Sequence, residues 1–141
     1  MNKFILSIFI TLSVYTMSYA QNQEVTAIKT TIKAFAKGGD NSNARETAQY
    51  LDPNYRVVMN RLFGSKEVVI LSREVYLEKI RNKEFGGTPR TLTFQDVITN
   101  GSTACAKVKM ASANLTFISL INLVKDEQGE WKLVSDTPVV E

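Results

Sequence analysis

The stretch KDEQGEWKLVSD, residues 125–136, decides the fold of this chain. Polar, turn-forming residues lead to Gly129, and the only tryptophan, Trp131, opens a short apolar run directly behind it. Glycine takes the positive φ that a hairpin loop of three or more residues needs. The flanking segments, Leu115–Lys125 and Glu130–Asp136, therefore read as antiparallel strands with their charged turn in water. Side chains alternate along a strand, so Trp131, Leu133 and Ser135 share one face and Lys132, Val134 and Asp136 the other. The Trp131 face is expected to meet the first long helix. There a large ring closes the end of a core while its N–H stays near the wet rim.

Working back, Asn100-Gly101 is a strong hairpin signal between strands over Arg90–Thr99 and Thr103–Ala111. The four strands form a meander. Ahead of them the period changes. Val25, Ile28, Ile32 and Phe35 recur at steps of three and four and predict a helix over Gln23–Lys37, stopped by Gly38-Gly39. Asn43 and Glu46 have the spacing of a capping box for a short helix reaching about Leu51. Asp52-Pro53-Asn54 reads as a turn, followed by a small hairpin of Tyr55–Phe63 and Lys66–Leu71. Ser72 caps a third helix, whose apolar residues are Val75, Tyr76, Leu77 and Ile80, and Gly86-Gly87-Thr88-Pro89 ends it. Three helices on one side of an antiparallel sheet define an α+β class.

The strand LTFISLINLV, residues 115–124, is apolar on both parities: Leu115, Phe117, Ile121 and Leu123 on one, Ile118, Leu120 and Val124 on the other. A sheet with one wet face alternates more cleanly. One helical layer covers one face, so a second copy of the sheet is expected on the other, as a two-fold homodimer, with a tightly curled sheet that half-covers itself as the alternative.

The first twenty of the 141 residues stand apart: a positive start at Lys3, an apolar run from Phe4 to Val14, and small residues at Ser18 and Ala20. This is the layout of a secretory signal peptide over residues 1–20, with an uncleaved anchor as the alternative. It implies an exported domain over residues 21–141, periplasmic or secreted, and off the membrane after cleavage. Without Lys3 the chain has 16 basic against 14 acidic residues. The densest basic run, Lys79–Lys83, suits the C-terminal end of a helix, so no nucleic-acid partner is expected. Cys105 is the only cysteine, which excludes an internal disulfide, and its alanine and valine neighbours suit a small core residue. The chain has no histidine. That excludes a histidine base or triad, and with one thiol no metal site or cofactor is expected.

Several stretches together carry a resemblance: Phe35-Ala36-Lys37-Gly38-Gly39-Asp40, Leu51-Asp52-Pro53-Asn54-Tyr55 and Gly129-Glu130-Trp131-Lys132-Leu133-Val134. In these, and in its element order over Gln23–Ser135, the chain resembles the nuclear transport factor 2-like superfamily, specifically its lumazine-binding branch. The resemblance implies a cone, with a bent sheet wrapped over three helices and a cavity at the open end, and pairing through the outer sheet face. A concave apolar cavity with a few polar groups is the default ligand site, here for a small aromatic or apolar ligand. The candidate lining residues are Tyr55, Met59, Tyr76, Phe94 and Ile118, with Arg61 or Ser135 adding polarity. The superfamily also contains ketosteroid isomerase-like and polyketide cyclase-like enzymes. On that alternative Asp96, between Phe94 and Ile98, is the candidate base, and Tyr55 or Tyr76 donates to an oxyanion. A competing reading puts Asp96 on the outer face near Lys107. A third function is a dimeric scaffold whose interior is filled by side chains.

Overall fold

A computed structural model describes residues 2–141, with side chains from residue 20 onward. The leader expected over residues 1–20 falls, except for Ala20, outside the residues whose side chains are described. Helix α1 (Asn2–Asp40) is followed by α2 (Ala44–Ala48), β1 (Leu51–Asn60), β2 (Val68–Ser72), α3 (Arg73–Arg81), β3 (Thr91–Asn100), β4 (Thr103–Ala111), β5 (Thr116–Lys125) and β6 (Trp131–Val140). All six strands form one curved sheet in the order β2-β1-β6-β5-β4-β3. The expected separate hairpin is thus the far edge of the main sheet. It is joined through a parallel pairing of β1 with β6, while every other pairing is antiparallel.

One face of the sheet carries the core. Ile28, Ile32 and Phe35 of α1, spaced as the apolar stripe requires, are buried with Ala104, Ala106 and Val108 of β4, Ile121 and Leu123 of β5, and Trp131 and Leu133 of β6. Trp131 does meet α1. Its indole N–H donates to Glu24 Oε2 at 2.9 Å, and Lys125 Nζ donates to Glu24 Oε1 at 2.6 Å. The solvated turn at residues 126–129 brings Lys125 and Trp131 side by side, so one carboxylate ties both strands to the helix. Cys105 is half-buried rather than in the core, because its parity puts it opposite Asn122, on the other face from Ala104 and Ala106.

Two glycine pairs act through close approach. Gly38-Gly39 does not stop α1, which continues to Asp40. A Cβ on Gly38 would meet Thr47 Oγ1 at 2.7 Å, so the missing side chain lets α2 pack against α1. Asn43 caps α2 as expected, accepting from the Glu46 N–H at 3.0 Å. The second pair, Gly86-Gly87, lies after α3. Gly86 has φ +78°, and a Cβ there would fall 2.0 Å from the Gly39 carbonyl oxygen.

Asp52-Pro53-Asn54 lies inside β1, against expectation. The Asn54 N–H bonds Asp52 Oδ1 at 2.8 Å, a local Asx turn. The strand makes a detour here: Leu51 pairs with Leu133 and Arg56 with Ser135, so five residues of β1 span two of β6.

Gly86→Ala adds both a backbone collision and a strained left-handed residue. Urea denaturation should show a loss of about 3 kcal/mol or more. Gly101→Ala, at φ +59° but with open space around it, should lose only about 1 kcal/mol.

Candidate functional site

A cavity of about 360 Å³ opens between α3, the segment after it and the inner face of the sheet at the end away from Trp131. This lies within the ordinary range for small-ligand sites. Its apolar walls are built from Val57 and Met59 of β1, Tyr76 and Ile80 of α3, Met110 of β4 and Phe117 of β5, with Phe85 following α3. An aromatic chain backs the α3 wall. Tyr76 lies 6.0 Å from Phe85 and 5.4 Å from Tyr55 between ring centroids, and it stacks on Phe35 at 6.2 Å. The mouth carries Phe63, two-thirds exposed and set edge-on to Phe117 at 6.2 Å.

The polar lining comes chiefly from Asp136, Ser119, Arg90 and Glu84. Arg90 is held in place: its Nε donates to Asp40 Oδ1 at 2.5 Å, its backbone N–H to Asp40 Oδ2 at 3.0 Å, and its Nη2 to the Ala36 carbonyl at 3.1 Å. Asp40 and Ala36 belong to the last turns of α1, where a cation suits the helix dipole. Glu84 is exposed and pairs with Lys79 at 2.7 Å.

Asp136 differs from both. It is 9% exposed, and its Oδ1 has no hydrogen-bond partner. Burial pushes its carboxyl up to about 6, against the opposing pull of the Ser119 hydroxyl and the Arg90 guanidinium. The Tyr55 hydroxyl is likewise buried without a partner. The hydroxyls of Tyr55 and Tyr76 are pushed well up, first by burial and further by nearby negative charge, including that of Asp136.

Simple alternation puts Asp136 on the face opposite Trp131, but the structure puts it on the same face. Leu123 pairs with Leu133 and Asn122 with Ser135, leaving Val134 as an extra residue in β6. This β-bulge reverses the parity of everything after it. Asp136 and Pro138 turn into the cavity, and Ser135 turns out to accept from Asn122 Nδ2 at 2.9 Å. The sequence reading missed Asp136 for this reason alone.

Among the expected lining residues, Met59 and Tyr76 are in the cavity wall and Tyr55 lies behind Tyr76 in the core. The other four are elsewhere. Arg61 is exposed in the β1–β2 loop at φ 54°. Phe94 packs beneath Lys29 and Lys33 of α1, at 5.6 and 6.0 Å from their Nζ atoms. Ile118 has the outward parity of β5, between the inward Phe117 and Ser119, and the bulge turns Ser135, itself buried, away from the cavity toward Asn122. Asp96 is exposed and in register with Lys107 on the outer face, so it is not a group of this cavity. Among the described residues, no group of three or more His, Cys, Asp or Glu is arranged to hold a metal ion.

The family model described as "Putative lumazine-binding" matches residues 23–137. No curated protein sequence matches the chain. Solved structures share its fold at low identity. A nuclear transport factor 2-like protein of unknown function from Shewanella baltica is 18% identical with a TM-score of 0.73, over 84% of this chain and 94% of that one. Another from Silicibacter pomeroyi is 15% identical with a TM-score of 0.74, over 86% and 98%. A ketosteroid isomerase-like protein from Erwinia carotovora atroseptica is 11% identical with a TM-score of 0.68, over 84% and 97%. With the match running through nearly all of the helices and sheet that enclose the cavity, this chain belongs to the putative lumazine-binding family and has a nuclear transport factor 2-like α+β fold.

Proposed function

We propose that this protein is a small-ligand-binding domain, exported if the leader acts as its composition implies, and that its ligand sits against Asp136. The observation that carries this reading is the buried, half-unpartnered carboxylate in the wall of an otherwise apolar cavity. Such a group costs the fold stability, and no protein partner offsets the cost at Oδ1. A ligand that donates to this carboxylate from the cavity recovers part of it. The family name points to a flat bicyclic heteroaromatic molecule, and a cavity of about 360 Å³ walled by Tyr76 and Phe85 accepts a ring system of that size.

A second reading uses the same carboxyl. A group titrating near 6 beside two tyrosine rings is suited to proton transfer, and the ketosteroid isomerase-like fold neighbour is compatible with it. On this reading Asp136 takes the role that the sequence suggested for Asp96.

The homodimer is a further part of the proposal. On the outer face Ile70 is 61% exposed, Ile98 60%, Val139 57% and Leu120 47%. They extend from β2 to β3 across the sheet, and a second copy of the same face would cover them.

Three outcomes are expected. The neutral fluorophore N-phenyl-1-naphthylamine should bind with enhanced emission at one site per chain, and Val57→Trp, which fills the cavity, should abolish the enhancement; no binding to the unmodified protein would overturn the ligand-binding reading. Sedimentation at micromolar concentration should give a dimer, and Leu120→Lys a monomer. The third concerns pH. Asp136 is raised in the folded state, so the unfolded chain releases this proton first as pH rises, and stability falls between the two values, from about pH 4 to about pH 6. Asp136→Asn lacks this loss. Its urea-measured stability relative to the unmodified protein should rise by on the order of 2–3 kcal/mol from pH 4 to pH 7.

A further inference from the structure

We propose that the cavity selects ligands carrying a cationic amine on an apolar or aromatic body, with the amine held by Asp136. The inference rests on the ligand-binding reading and names the chemistry that the site prefers.

The charges in the wall decide it. Arg90 is the cation, and its donors are directed at Asp40, at the Ala36 carbonyl and, at 3.7 Å, at the Met110 sulfur. Its charge is matched by Asp40 within the protein. Glu84 is matched by Lys79. Among the described residues Asp136 forms no ion pair, and its Oδ1 accepts from nothing. An incoming carboxylate or phosphate would approach Asp136 without a cation free to receive it among the lining residues. An ammonium group in the cavity would give the Asp136 carboxylate a charge-assisted hydrogen bond, roughly twice as strong as a neutral one. The rings of Tyr76 and Phe85 line the same wall, and Phe85 already carries one cation, Lys79 Nζ at 5.5 Å from its centroid. Val57, Met59, Ile80 and Phe117 leave the rest of the ligand only apolar company.

Selection should depend on pH through Asp136. The groups facing it are Tyr55 from β1, Tyr76 from α3, Ser119 from β5 and Arg90 ahead of β3, with Asp40 behind Arg90 and Glu84 at the rim. Both tyrosines are pushed up and stay neutral between pH 5 and 8.

The test uses the full chain loaded with N-phenyl-1-naphthylamine and three competitors with one ring system: 1-naphthylmethylamine, 1-methylnaphthalene and 1-naphthoate. At pH 7.5 the amine should displace the fluorophore at a concentration at least tenfold below that of methylnaphthalene, and naphthoate should be the weakest. The amine's advantage should shrink at least threefold at pH 5. In Asp136→Asn it should vanish, with methylnaphthalene displacing as before. Naphthoate equalling the amine, or an amine advantage indifferent to both pH and Asp136→Asn, would overturn the inference and leave the ligand-binding reading standing. Failure of the neutral fluorophore itself to bind would overturn both. The pH series needs no variant, so a poorly folding Asp136→Asn does not rescue the inference.

Discussion

One extra residue in β6 determines the chemistry of this domain. Val134 has no partner on β5, and the register moves by one between Leu133 and Ser135. Before the bulge, Trp131 and Leu133 fill the core beneath α1. After it, Asp136 and Pro138 face the cavity. Without the bulge, Ser135 would face inward opposite Ile121, and Asp136 would face outward opposite Leu120. A bulge also sharpens local twist and bends its strand. β6 is where bending matters most, because it lies between β5 and β1 and joins the two parts of the sheet. The same residue therefore helps open the sheet and places the charge inside the opening.

The opposite wall depends on the end of α1. Gly38 admits α2, and the Gly39 carbonyl receives the Gly87 N–H at 3.1 Å. The segment after α3 is thereby pinned to the first helix. Three residues on, Arg90 locks onto Asp40 and the Ala36 carbonyl. This second lock does more than close the core. It commits the guanidinium to α1, and so leaves Asp136 as the lining charge without an ion-pair partner. The charge asymmetry of the cavity follows from how the helix ends.

Much of this was legible in the sequence, and the failures share a physical form. The helices of residues 23–81 and the four-stranded meander follow from periodicity, caps and the Asn100-Gly101 turn. The Trp131–α1 contact follows from alternation alone. What could not be read were the departures from alternation. Asp52-Pro53-Asn54 does form a turn, but as a detour within β1 rather than between elements. No glycine or proline announces the bulge at Val134, so Asp136 was assigned to the wrong face and Ser135 with it. The β3–β4 register also shifts between Phe94 and Asp96, which sets Asp96 opposite Lys107 on the outer face rather than with Phe94. Phe94 was recognised as apolar and inward, but inwardness does not tell which end of the sheet a side chain serves. It packs under α1, while Met59 and Tyr76 reach the cavity.

Asp136 also separates the competing accounts of what the domain is for. A scaffold gains nothing from a carboxylate that burial drives up to about 6, when an asparagine of the same shape would bear no such charge. A purely apolar binder gains nothing either, because docking hydrocarbon against the carboxylate strips its remaining water and offers no hydrogen bond in return. On the proposed reading the group is used when something arrives to satisfy it: a ligand that donates to it, or a substrate that exchanges a proton with it. These two uses place different demands on the neighbouring hydroxyls. A proton-transfer site needs Tyr55 or Tyr76 within reach of the reacting molecule. The Tyr55 hydroxyl, however, is sealed in the core behind Tyr76, which alone of the two contributes to the wall. With one phenol in the wall, itself raised by burial, and one carboxylate without an ion-pair partner among the described residues, the wall is better equipped to hold a donor than to assemble a catalytic pair.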